Sequence, residues 1–175
     1  DPEILKDIGN TFNALQNETE ATRFYRESLA IDENYAPAIN NLGLIAKRSG
    51  DLATAQKLLE KATLIDNSSG PFHMNLGSVY KQIGDLDRAL QSSLRAQELN
   101  PGNPDIYINL GSIYKDIGNL DEALNSTLTA LEINPHNPNV HINLGSIYQD
   151  LGKTNKALIV VSVVAIFCVI YLLLK

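Results

Sequence analysis

The chain has 175 residues, of which 44% are hydrophobic and 19% charged, and it carries a net charge of −6 with one cysteine and no tryptophan. An acidic balance without any basic tract excludes a nucleic-acid binder that works by neutralising phosphates. The lone Cys168 excludes an intramolecular disulfide and a cysteine-based zinc site.

Internal repetition organises the rest. MNLGSVYKQIGDLDRAL, starting at Met74, returns as INLGSIYKDIGNLDEAL at Ile108 and as INLGSIYQDLGKTNKAL at Ile142, a spacing of 34 residues. A fixed period in that range marks a stacked repeat architecture. Carried outwards, the frame divides the chain into five repeats, 2–35, 36–69, 70–103, 104–137 and 138–171, without insertion. Gly9, Gly43, Gly77, Gly111 and Gly145 share one place, and Ala21, Ala55, Ala89, Ala123 and Ala157 share another. Ile8, Leu42, Leu76, Leu110 and Leu144 form a third row. An aromatic place holds Phe12, Tyr80, Tyr114 and Tyr148, with Ala46 as the exception.

Taken in chain order, repeats one and two are the more diverged, ending on Glu33 and Asn67 where Pro101 and Pro135 close the next two. In repeat three, Phe72, Leu76, Val79, Tyr80 and Ile83 recur at helical spacing, which predicts a first helix over 71–83. Gly84 ends it, and Asp85 is placed to cap a second helix that runs through Leu86, Ala89, Leu90, Leu94 and Leu99 until Asn100-Pro101 stops it. Gly77 and Ala89 fall where the paired helices would cross, with Tyr80 beside them. Because glycine inside a helix costs roughly 1 kcal/mol against alanine, its recurrence points to close packing. In repeat four, 120–133 is an amphipathic second helix, and Asp121 and Glu122, like Asp85 and Asp87, suit the positive end of a helix dipole. In repeat five the pattern breaks after Leu158 into IVVSVVAIFCVIYLLLK.

The Leu, Gly, Tyr, Gly, Ala, Ala and Pro places at these offsets resemble the tetratricopeptide repeat over nearly the whole chain. The tryptophan-like place of that family is weak, holding Leu5, Ile39, His73, Tyr107 and His141. The resemblance implies an all-α fold, a right-handed superhelix of five helical hairpins whose first helices line a concave groove. It also implies binding of peptides or proteins.

Two places before each recurring glycine stand Asp7, Asn41, Asn75, Asn109 and Asn143. Asparagine is a mediocre helix former, so four in register suggest use as ligand contacts. An amide offers both donor and acceptor and can hold the backbone of an extended peptide. Helices pack roughly 8–10 Å apart and an extended chain advances about 3.3–3.6 Å per residue, so one asparagine would meet about every third residue. The row resembles the asparagine ladder in the tetratricopeptide arm of O-linked N-acetylglucosamine transferases. Ser78, Ser112 and Ser146 lie one turn further on, and Lys47, Lys81 and Lys115 about a turn beyond, with Gln149 in the last repeat. Together they would make a polar, mildly basic groove that favours acidic segments.

Catalytic machinery is not expected, nor is a cofactor or metal. His73 and His141 sit two repeats apart and cannot share an ion, His136 falls in a loop, and no nucleophile–base pairing or phosphate loop is present. The sequons at Asn17, Asn67 and Asn125 are ascribed to the abundance of asparagine.

The segment 157–174 has eighteen residues without a charge, flanked by Lys153, Lys156 and Lys175. As a helix it would be roughly 27 Å long, close to a bilayer's hydrocarbon thickness, and it is apolar all round. It reads as a transmembrane segment overlapping repeat five; the alternatives are a buried cap within a larger protein or oligomer, and a misread of the coding sequence. The sequence therefore predicts an array over 2–156 acting as a non-enzymatic, membrane-tethered scaffold for a protein or an extended, acidic peptide. The array would face the cytoplasm, with a soluble cytoplasmic protein as the alternative. Starting at Asp1 in phase with a repeat, the chain also reads as a fragment, and the rival function is the substrate-recognition arm of a glycosyltransferase-type enzyme.

Overall fold

The structure, a computed structural model, describes residues 1–152. The second helix of repeat five and the apolar segment 157–174 lie outside them. The described residues form nine helices and no strand: α1 (Pro2–Ala14), α2 (Glu18–Ile31), α3 (Ala36–Arg48), α4 (Leu52–Ile65), α5 (Gly70–Ile83), α6 (Leu86–Leu99), α7 (Pro104–Ile117), α8 (Leu120–Ile133) and α9 (Pro138–Asp150). Two compact units divide the chain, Asp1–Leu99 and Asn100–Lys175. The first holds the hairpins α1–α2, α3–α4 and α5–α6; the second holds the hairpin α7–α8, with α9 packed against both of its helices.

Local chemistry sets the helix ends. Proline occupies the first turn of every first helix, where its missing N–H has no partner to lose. Second helices start on polar caps: the Asn17 Oδ1 accepts from the Glu20 N–H at 3.2 Å, Asp51 from Thr54 at 3.0 Å and Asp85 from Arg88 at 3.1 Å. Gly84 and Gly118 close α5 and α7 in the left-handed region, at φ 89° and 93°. In repeat one that place holds Gln16, at φ 60°, a conformation a side chain disfavours.

The hairpins close on small residues. Ala21, Ala55, Ala89 and Ala123 are completely buried. A Cβ added to Gly77 would strike the Ser93 Oγ and lie 3.1 Å from the Ala89 carbonyl oxygen. One added to Gly111 would strike the Thr127 Oγ1 and lie 3.2 Å from the Ala123 carbonyl. The recurring glycine is thus a close-approach residue, with the second helix's backbone against it. Repeats one and two fill the same crossing with larger side chains, Tyr25 opposite Gly9 and Leu59 opposite Gly43. Between hairpins the core is aliphatic and aromatic. Ala36, Ile39, Ala62 and Phe72 cluster across α3, α4 and α5, and Ala21, Tyr25 and Ala38 across α2 and α3. Each large aliphatic or aromatic side chain buried this way contributes about 1.5–3 kcal/mol.

Among the described residues no helix is long and apolar enough to cross a membrane. The span expected over 157–174 is outside that set.

Candidate peptide-binding site

The first helices carry the rows picked out by the repeat. In the first compact unit, Asn41 on α3 and Asn75 on α5 are half-buried, as are Asn109 on α7 and Asn143 on α9 in the second. Asp7, which starts the row, is exposed on α1 and pairs with Lys6 at 2.6 Å.

Asn41, Asn75 and Asn143 each point an amide back toward the preceding repeat. The Asn41 Nδ2 donates to the Asn10 Oδ1 at 2.8 Å, the Asn75 Nδ2 to the Asn40 Oδ1 at 2.9 Å, and the Asn143 Nδ2 to the Ile108 carbonyl at 3.1 Å. In the first unit these bonds join into a chain. Asn40 Nδ2 donates to the Asn41 Oδ1 at 3.1 Å, and the Tyr25 hydroxyl donates to the Asn10 Oδ1 at 2.8 Å. The chain therefore runs Asn75, Asn40, Asn41, Asn10, with Tyr25 closing it on the same acceptor. Asn40 is only 6% exposed and Tyr25 1%. Burial pushes the Tyr25 phenol above its ordinary range, which keeps it a donor.

This fastening is not visible in the sequence. These three asparagines are fastened from repeat to repeat, each with one amide hydrogen engaged and one still to offer. Sequence reasoning missed Asn40 and Asn10. Asn40 directly precedes Asn41, and Asn10 stands at the place that Ser78 holds two repeats later; neither neighbourhood announces a hydrogen bond.

In each unit a lysine of one row meets a serine of the other. Within the first unit the Lys47 Nζ donates to the Ser78 Oγ at 2.5 Å, and within the second the Lys115 Nζ donates to the Ser146 Oγ at 2.9 Å. Each lysine reaches 31 residues ahead, onto the next repeat. Lys115 also faces the Asp150 carboxylate at 3.9 Å. Burial and the neighbouring Lys81 ammonium hold Lys47 below the ordinary lysine range. Lys81 on α5 and Ser112 on α7 are half-buried like the rest of the two rows.

A second feature lies between α5, α6 and the loop that precedes α5, where no site was expected. A cleft of about 590 Å³ is lined by Asn67, His73, Leu76, Tyr80, Arg88 and Arg95, among others. The Tyr80 hydroxyl donates to the Glu60 Oε1 at 2.6 Å, and the Arg88 guanidinium sits 4.5 Å above the Tyr80 ring. Burial and the bond to Glu60 push the Tyr80 phenol up to about 12, and the same bond holds Glu60 below the usual carboxylate range. The His73 Nε2 contacts the Asn67 Oδ1 at 2.9 Å, and burial lowers its pKa. Tyr80 is thus engaged by Glu60 and Arg88, His73 by Asn67, and Arg95 by Glu98 at 2.9 Å. Among the described residues, no group of His, Cys, Asp and Glu side chains could hold a metal ion.

Helical hairpins of fixed length, closed on glycine and alanine and bearing a polar row on successive first helices, define a class of stacked helical repeats. Family models agree: a TPR repeat matches residues 77–118 and 111–152, and a tetratricopeptide repeat matches 36–69, together more than half of the chain. The chain belongs to the tetratricopeptide repeat family.

Solved structures share its fold. MamA is 24% identical with a TM-score of 0.75, over 91% of this chain and 94% of that one. YrrB, a TPR protein with an unusual peptide-binding site, is 24% identical with a TM-score of 0.72, over 95% and 86%. TTC0263, a thermophilic TPR protein of Thermus thermophilus, is 19% identical with a TM-score of 0.80, over 94% and 90%. No curated protein sequence matches the chain.

Proposed function

We propose that the chain is a non-catalytic scaffold that binds an extended peptide segment of another protein along its first helices. The observation that carries this reading is the asparagine row, with Asn41 and Asn75 in the first unit and Asn109 and Asn143 in the second. Each is half-buried, and Asn41, Asn75 and Asn143 are oriented by a bond to the preceding repeat. An amide so fixed loses little rotamer freedom when it takes up a peptide backbone, and such pre-organisation favours affinity. YrrB, which shares the fold, is a TPR protein with an unusual peptide-binding site, and this supports a peptide as the guest.

The lysine and serine places, Lys47, Lys81 and Lys115 with Ser78, Ser112 and Ser146, bias the guest toward acidic sequence. The apolar segment 157–174 tethers the array to a membrane, with the repeats on the cytoplasmic side. Neither function draws on a cofactor.

A capped peptide of alternating Glu and Ser, kept extended by its own charge, serves as the probe. Replacing Asn75 and Asn109 with alanine weakens its binding at least fivefold while far-UV circular dichroism is unchanged. Equal affinity in wild type and variant would return the row to a purely structural role.

A further inference from the structure

We infer that Lys47 is the anchor for a carboxylate side chain on the bound peptide, an assignment that rests on the peptide-binding reading above. The two compact units build the same contact and finish it differently. In the second, the Lys115 ammonium holds the Ser146 hydroxyl at 2.9 Å and faces the Asp150 carboxylate at 3.9 Å. In the first, the Lys47 ammonium holds the Ser78 hydroxyl at 2.5 Å. The place four residues after that serine, where Asp150 follows Ser146, is taken by Gln82. A lysine–serine–carboxylate cluster is thus complete in one unit and lacks its anion in the other.

The surroundings of Lys47 sharpen the contrast. It is half-buried, and the described residues place no carboxylate within ion-pairing distance of it. The nearest basic neighbour along its helix, Arg48, is already engaged by Glu18 at 2.7 Å and by the Asn13 side-chain oxygen at 2.6 Å. An ammonium carries three donors, and the Ser78 hydroxyl accepts one. Burial and the Lys81 ammonium both disfavour the charge on Lys47, and an anion beside it favours that charge and so opposes both.

The guest supplies that anion without a detour. Ser78 lies one helical turn from Asn75, about 5–6 Å between Cβ atoms. A peptide whose backbone rests on Asn75 therefore carries a neighbouring side chain to Lys47. A carboxylate is the fitting group, because the chain itself sets one on the matching lysine–serine pair.

The test uses the full chain in a non-ionic detergent, isotope-labelled, with two capped peptides, one alternating Glu and Ser and the other alternating Gln and Ser. Side-chain amide resonances of Asn41 and Asn75 report seating on the asparagine row, and the Lys47 ε-methylene reports the anchor. The Glu peptide is expected to bind about tenfold more tightly than the Gln peptide and to shift Lys47. Lys47→Met lowers that ratio at least threefold, Lys81 and Lys115 being retained. Gln82→Asp does the same with the lysine retained, because an internal carboxylate then occupies the place. Lys61→Met, on an exposed lysine that bonds the Glu33 carbonyl, leaves the ratio as it was.

Equal binding of the two peptides with shifts at Asn41 and Asn75 would overturn the anchor and leave the peptide-binding reading standing. A Glu preference undiminished in both Lys47→Met and Gln82→Asp would do the same. Absence of any shift at the asparagines with either peptide would overturn both. Inorganic phosphate displacing the Glu peptide from Lys47, while acetate at the same concentration does not, would overturn the choice of carboxylate.

Discussion

Replacing Asn40 with alanine tests whether the asparagine chain of the first unit is a connected device. Asn40 accepts from the Asn75 Nδ2 at 2.9 Å and donates to the Asn41 Oδ1 at 3.1 Å, at 6% exposure. A neutral hydrogen bond contributes about 0.5–1.5 kcal/mol, so losing both removes about 1–3 kcal/mol. Alanine recovers roughly 0.6 kcal/mol through helix propensity. The net destabilisation expected is about 0.5–2.5 kcal/mol, read as a lowered midpoint of urea unfolding followed by circular dichroism. Asn75→Ala removes only the first of those bonds, and the same propensity gain leaves it within about 1 kcal/mol of wild type. Because that bond is lost in both single variants, the double variant should cost less than their sum, by about 1 kcal/mol. Additivity within about 0.3 kcal/mol would show that Asn40 and Asn75 are not coupled, and the claim that the row is fastened between repeats would fall.

Four other outcomes follow from the packing and the charges. Gly77→Ala gains about 1 kcal/mol of helix propensity but drives a Cβ against Ser93 and the Ala89 carbonyl; overpacking of about 1–3 kcal/mol outweighs the gain, and urea unfolding should show a net loss. Gln16→Gly should raise the unfolding midpoint, since the left-handed φ of 60° costs a side chain about 1–2 kcal/mol. The Tyr80 phenol should ionise near pH 12 by ultraviolet absorbance, and in Glu60→Gln at a lower pH. Its folded value lies above the ordinary 10, so the stability linked to it is complete below pH 10 and is lost as pH rises toward 12. Truncation after Lys156 should move the array from the membrane pellet to the supernatant; a full chain that stays in the supernatant without detergent would refute the tether.

Much of the architecture was legible in the residues because its causes are local or strictly periodic. Proline in the first turn, an aspartate or asparagine cap and a glycine at the end of the first helix act within a few residues of themselves. The helix expected over 71–83 is found as Gly70–Ile83. Gly77 and Ala89, on either side of a single turn, were marked as a crossing by their size alone, and the backbone of α6 lies against Gly77 as that requires. The period then carried each such inference to every repeat.

The site was legible only as rows of residue types. Which atom meets which depends on the stacking of hairpins, since the bonds that fasten Asn41, Asn75 and Lys47 join residues 31 to 35 apart. Their existence turns on side-chain rotamers selected by packing, and no propensity or spacing encodes those. Nothing in the string distinguishes Asn40, a buried relay, from any other asparagine beside a row, or shows that serine and lysine rows would close into pairs. The sequence alone determined a tetratricopeptide array and the faces its polar rows would share, because the helical period is a property of the backbone. Tertiary structure alone decided that those rows are bound to one another and that Lys47 lacks the carboxylate given to Lys115, because partners so distant in the chain meet only when the repeats stack.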